Sequence, residues 1–150
     1  MATSNAARML ANDNPDDEVV EYGNATRTSN NKTAHQLFAV LLMAAPYAHM
    51  AHLQTRSLAE HMALGTLYEE LPGLVDALIE SYQGKYGLVM DYPAPDKLPP
   101  LGNPVAMVTQ LNKYVYETRA QVADDSEIQN AIDEIVTLLN STIYKLKYLT

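Results

Sequence analysis

Cysteine and tryptophan are absent from this chain of 150 residues, phenylalanine occurs once, and basic residues are scarce. Without cysteine there is no disulfide, no thiolate zinc site and no iron–sulfur cluster, so any metal must be held by histidine, aspartate or glutamate. The same absence fits a reducing compartment such as the cytoplasm. Ten Lys and Arg stand against eighteen Asp and Glu, for a net charge of −8. With no basic run, the chain lacks what a nucleic-acid binder uses to neutralise phosphates. Residues 1–32 contain no apolar run of the kind that opens a secretory signal. The apolar run LFAVLLMAA (37–45) is too short to span a membrane. Extending it brings in His35, Pro46, His49 and His52, so a buried helix is expected there and no membrane partner. The length suits one domain with a real core.

Residues 1–32 are rich in Asn, Ser, Thr and Asp and show no periodicity, which reads as a flexible or extended arm. The arm could lie across a neighbouring subunit. From 33 to 150 the pattern is helical. A first helix, A, is expected over about 33–54, apolar on nearly every face and kinked at Pro46. Ser57 and Glu60 form an S-x-x-E capping box that opens helix B. Its core stripe is Leu64, Leu67, Tyr68, Leu71, Val75, Leu78 and Tyr82. Gly84 is expected to end it, and Pro72-Gly73 to bend or break it. Residues 84–103 hold proline and glycine in place of periodicity and read as a long crossover. Asn103-Pro104 caps helix C, with Val108, Leu111, Val115, Thr118 and Val122 facing inward. Asp124 or Asp125 caps helix D, whose stripe is Ile128, Ile132, Ile135, Leu139, Ile143 and Leu146. The expected fold class is all-α, a four-helix bundle with one long B–C crossover, which is the ferritin-like arrangement.

On a wheel for helix B, His61, Gly65, Glu69, Pro72, Asp76 and Glu80 share a second stripe beside the core stripe. A close helix contact outside the bundle would need such a stripe, and a solvated face explains it almost as well. Asp76 and Glu80 lie one turn apart, so both carboxylates can reach one cation. His61 is about 22 Å away along the same helix. Only a second copy packed antiparallel, with the two-fold axis near Glu69, would bring His61 of one chain to Asp76 and Glu80 of the other. His49, at the end of helix A, could join His61 from the same chain. Two imidazoles and two carboxylates suit iron or zinc. His52, three residues after His49, reads as a substitute ligand, a further group beside the site or plain surface. His35 has no assigned role.

The spacing from His49 to His61 (eleven residues between), to Asp76 (fourteen) and to Glu80 (three) resembles the ferroxidase pattern of the Dps mini-ferritins. EHMALGTLYEELPGLVDALIE is similar to that family's second helix, and EIVTLLNSTIYKLKYL to its last. The resemblance covers residues 33–150. It implies His49 and His61 as ligands from one subunit with Asp76 and Glu80 from its partner. It also implies Fe(II) oxidised to Fe(III), and a homo-oligomer, by the family's habit a hollow dodecamer; Glu69, near the two-fold axis, and His52 are candidate neighbours of the site by position alone. The chain departs from the family pattern at Met50, where a Trp is usual, and at Ser81, where an Arg is usual. HLQTRS replaces the usual glycine-bearing turn. The phrases HLQT-x-S-x-AEH and YQG also resemble an uncharacterised group of ferritin-like proteins of tailed phages. That resemblance implies a rival role as a non-catalytic structural module, a virion or assembly component whose partners are other phage structural proteins. Tyr82, Tyr86 and Tyr92 either quench radicals near an oxidising site or pack.

Overall fold

The structure is a computed structural model, and it describes residues 31–95 and 102–149. The expected N-terminal arm falls outside the described residues, apart from Asn31 and Lys32. Among the described residues the chain is all-α. Four helices account for it: α1 (Lys32–Gln54), α2 (Leu58–Tyr86), α3 (Pro104–Thr118) and α4 (Ser126–Tyr148). A 3-10 turn, Arg119–Gln121, follows α3.

Each helix starts where a side chain can satisfy free N–H groups. Asn31 accepts from the Ala34 N–H at 3.1 Å, so α1 begins one residue before the expected start. Ser57 accepts from the Glu60 N–H at 3.3 Å, as the capping box requires. The reciprocal half of the box is rerouted. The Ser57 N–H donates to Thr55 Oγ1 at 3.1 Å, and Thr55 in turn donates to the Glu60 carboxylate. Asn103 caps α3 by accepting from Ala106 at 2.9 Å. Asp125 stands at the N-cap of α4 but makes no side-chain cap bond, because its carboxylate is engaged elsewhere.

Pro72 neither breaks nor ends α2, which runs unbroken for 29 residues past Gly84 to Tyr86. Both helix-internal prolines, Pro46 and Pro72, sit on exposed faces. There the carbonyl that each deprives of a donor can turn to solvent. Gly87, at φ +90°, stops α2 in a conformation that side chains with a Cβ rarely adopt. Helix α3 ends at Thr118, short of the expected Val122, although Val122 is buried all the same.

The end contacts give the directions of the helices. The start of α1 meets the end of α3, where the Asn31 amide donates to the Gln121 and Val122 carbonyls, each at 2.8 Å. The end of α2 meets the start of α4 through Lys85 and Asp125. Short links make α1–α2 and α3–α4 antiparallel, so α2 and α3 point the same way. The helices pack in the ring α1–α2–α4–α3. One core fills the ring: Leu37, Leu41, Leu64, Leu71, Leu78, Val108, Ile132 and Leu139 are all at most 1% exposed. Each such side chain contributes roughly 1.5–3 kcal/mol by leaving water. Tyr68 and Ile143, expected in the stripes, are half-buried against this core.

Candidate functional site

At the end of the bundle where α1 turns into α2, three histidines and a tyrosine converge. His52 stacks on His61 with ring centroids 3.6 Å apart and planes 25° apart. His49 stacks on Tyr68 at 4.2 Å and 20°. His52 lies between the two pairs, 5.9 Å from His49 and edge-on to Tyr68 at 5.2 Å. The helix pairing accounts for the cluster. The last turns of α1 run antiparallel to the first turns of α2, and Gly65 leaves room for the His52 ring. A Cβ placed at Gly65 would stand 3.5 Å from His52 Cε1. Gly65, the glycine of the polar stripe, thus lies beside His52 within the chain.

Both stacked rings are held by backbone. His52 Nδ1 lies 2.8 Å from the His61 carbonyl oxygen, and His61 Nδ1 lies 3.2 Å from the His52 carbonyl oxygen. A carbonyl only accepts, so each Nδ1 carries a proton, and the tautomer of a neutral ring here has its lone pair on Nε2. That tautomer is the one in which a histidine binds a metal through Nε2. The stack sets a limit, however. Lone pairs in two nearly parallel planes 3.6 Å apart do not converge on one ion held about 2.1 Å from each nitrogen. In this arrangement His52 positions His61 and does not share a cation with it.

Asp76 and Glu80 lie farther along α2, both exposed. Among the described residues neither makes a hydrogen bond or an ion pair. Glu69 accepts from its neighbour Tyr68 at 3.4 Å. Within one chain, then, the structure brings His49, His52 and His61 together and leaves Asp76 and Glu80 apart. Among the described residues no group of three or more His, Asp or Glu is placed to hold one ion. His35 belongs to none of this. It is buried near the start of α1, and its Nε2 has no partner among the described residues.

The opposite end of the bundle holds a cluster with no counterpart in the sequence reading. Lys85 bridges Asp125 and Glu127, the latter at 3.2 Å, and the Tyr86 hydroxyl donates to the other oxygen of Asp125. Hydrogen bonds from Lys85 and then Tyr86 hold the Asp125 carboxyl below its ordinary range. Burial, followed by the bond to Asp125, pushes the Tyr86 phenol up to about 12. Behind them the Tyr82 ring lies 4.8 Å from Tyr86 and 5.1 Å from Phe38, edge-on to the latter. A sequence signal existed in the Lys85-Tyr86 pair and the acidic run 124–127, but only folding brings them together. Tyr82 and Tyr86 are packing residues here, and Tyr92 is exposed.

Two comparisons place the chain. A search of solved structures gives no significant match. An uncharacterised 14.6 kDa protein from the mobD–ri intergenic region of Enterobacteria phage T4 is 27% identical over 135 residues, 87% of this chain and 97% of the T4 protein. The profile of a family of unknown function, DUF5856, matches residues 52–146, which span α2, α3 and nearly all of α4. The chain belongs to the DUF5856 family.

Proposed function

We propose that this protein is a ferritin-like, Dps-like iron protein that oxidises Fe(II) at a site shared across a dimer two-fold. His49 and His61 of one chain would face Asp76 and Glu80 of the other, and the dimers would build a larger homo-oligomer, a dodecamer by the Dps resemblance. Each Fe(II) gives one electron to peroxide or dioxygen. The carboxylates favour the ferric product as hard oxygen ligands, while neutral imidazoles complete the set. Zinc suits the same donors. The observation that carries the reading is the pairing of two half-sites on α2. His61, whose Nδ1 is tied to a backbone carbonyl, stands at one end, and Asp76 and Glu80, exposed and without hydrogen-bond or ion-pair partners among the described residues, stand one turn apart at the other. The ring of four helices with parallel α2 and α3 supports the ferritin-like assignment, because that topology needs one long crossover.

The test is to load the protein with Fe(II) without oxygen, add peroxide and follow ferric absorbance. Rapid oxidation that is lost in Asp76→Ala/Glu80→Ala is the expected result. Oxidation no faster than in buffer would remove the enzyme. The T4 relative favours a second reading, a structural phage module with no turnover, in which the same stripe is only a polar contact between subunits. That reading predicts binding to phage structural proteins and a place in the virion rather than the cytoplasm.

A further inference from the structure

Helix α1 carries no Asp, Glu, Lys or Arg from Thr33 to Thr55, in a chain of net charge −8. It is nevertheless only partly covered. Leu42, Met43 and Met50 are each 40% exposed, Leu53 is 69% exposed, and Pro46 and His49 lie on the same outer side. The inner row of this surface is Leu42, Pro46, His49 and Leu53. Its spacing of four, three and four residues reads the same in both directions. A two-fold contact requires that property, because residue i must meet j while j meets i. Turned about a point between Tyr47 and Ala48, Leu42 meets Leu53 of a second copy and Pro46 meets its His49, so on this axis His49 lines the contact and His61 is the imidazole left facing Asp76 and Glu80 of the other chain.

A second spacing gives the same height on the bundle. The midpoint between His61 and the Asp76/Glu80 pair falls at Glu69 or Glu70 of α2. His49 of α1 stacks on Tyr68 of α2, which fixes the register between the two helices. Moving about 2 Å from His49 to the centre of the α1 row moves the same distance along antiparallel α2, from Tyr68 to Glu69–Glu70. One axis therefore serves both helices.

We infer that the uncharged outer face of α1 is the apolar half of an isologous interface with a second copy of this chain, centred between Tyr47 and Ala48. This rests on the antiparallel two-fold of the reading above and adds the surface that holds it together. Charge identifies the occupant. Two chains of −8 repel across most of their surface, and this face, free of carboxylates, is where they can approach. An anionic membrane surface would repel the chain for the same reason. Antiparallel α1 helices also set their dipoles in opposition, which favours the pairing.

The absence of cysteine makes the test clean. In the full chain, Leu42→Cys/Leu53→Cys is oxidised in metal-free buffer beside each single variant. Within one chain the two thiols are about 16 Å apart, and the same holds for like residues across the axis, beyond the roughly 7 Å reach of a disulfide. The expected result is a covalent dimer from the double variant and none from either single, with the wild type sedimenting as two chains or an even multiple. Three results overturn the inference: cross-linking by the singles as well, no cross-linking with a monomeric wild type, or flotation of the wild type with phosphatidylcholine vesicles. Iron oxidation is assayed separately on wild type. A trapped dimer without oxidation leaves the interface standing and removes the iron chemistry, whereas oxidation without cross-linking removes this interface alone.

Discussion

The two ends of the bundle are built from different materials. At the end where α2 meets α4, Lys85 bridges Asp125 and Glu127 and the Tyr86 hydroxyl donates to Asp125, over a floor of the Phe38 and Tyr82 rings. Within that cluster each charged or hydroxyl group has a partner inside the chain. At the other end, three imidazoles are held only by stacking and by backbone carbonyls. Among the described residues no ion pair links α1 to α2 there. The first end stabilises the fold; the second leaves lone pairs available. Groups satisfied inside the fold have nothing left to offer a ligand, and groups left unsatisfied at a surface are where function concentrates.

The contrast can be broken by substitution, and the largest effect belongs to the clamped end. Phe38→Ala empties the fully buried space beside Tyr82 and should cost about 3–5 kcal/mol in denaturant unfolding. Asp125→Ala takes the shared partner from Lys85 and Tyr86 and should cost about 1–2 kcal/mol, a figure kept low because the cluster is partly solvated. Its pH dependence has a definite sign. Asp125 titrates below its ordinary value in the folded chain, so its contribution is full above about pH 4 and is lost as pH falls further. Unfolding curves at pH 3 and 6 should therefore differ less in the variant than in wild type. Tyr86→Phe should cost about 1 kcal/mol at neutral pH. The folded phenol is raised to about 12, so its contribution is full below pH 10 and lost as pH climbs from about 10 to about 12. Tyr86→Phe should flatten part of that alkaline decline.

Substitutions at the histidine end should hardly move stability. Gly65→Ala adds a methyl at ordinary contact distance from His52 within a helix, so a gain of up to about 1 kcal/mol is expected. His61→Ala should stay within about 0.5 kcal/mol of wild type. A loss there as large as that of Asp125→Ala would mean that the imidazole stack is structural and the two ends are alike.

Much of this was legible in residue order. Helix existence follows from stripes such as Ile128, Ile132, Ile135 and Leu139, all fully buried as their spacing demands. Ser57 and Asn103 announce helix starts because their chemistry is local. Pro72 does not break α2, because an exposed proline costs one hydrogen bond, which 29 residues of helix can absorb. Asp125 occupies the cap position its sequence indicates, but Lys85 and Tyr86 compete for its oxygens from 40 and 39 residues away in the chain. No local rule sees them. The histidines were legible as a set by spacing, yet the exchange of Nδ1 bonds between His52 and His61 depends on how two helices sit side by side. From sequence His52 reads as a substitute ligand, a neighbour of the site or plain surface; folded, it is the ring that stacks on His61 and exchanges backbone bonds with it.

The shared site is tested most directly by mixing two defective chains. His61→Ala and Asp76→Ala/Glu80→Ala are each expected to oxidise Fe(II) no faster than buffer. Co-expressed, half of the randomly formed dimers are hybrids, and each hybrid joins the intact histidines of one chain to the intact carboxylates of the other. Ferroxidase activity should return to about a quarter of the wild-type rate, since an isologous dimer carries two equivalent sites. No recovery, with hybrid dimers verified by mass, would contradict a site built from two chains.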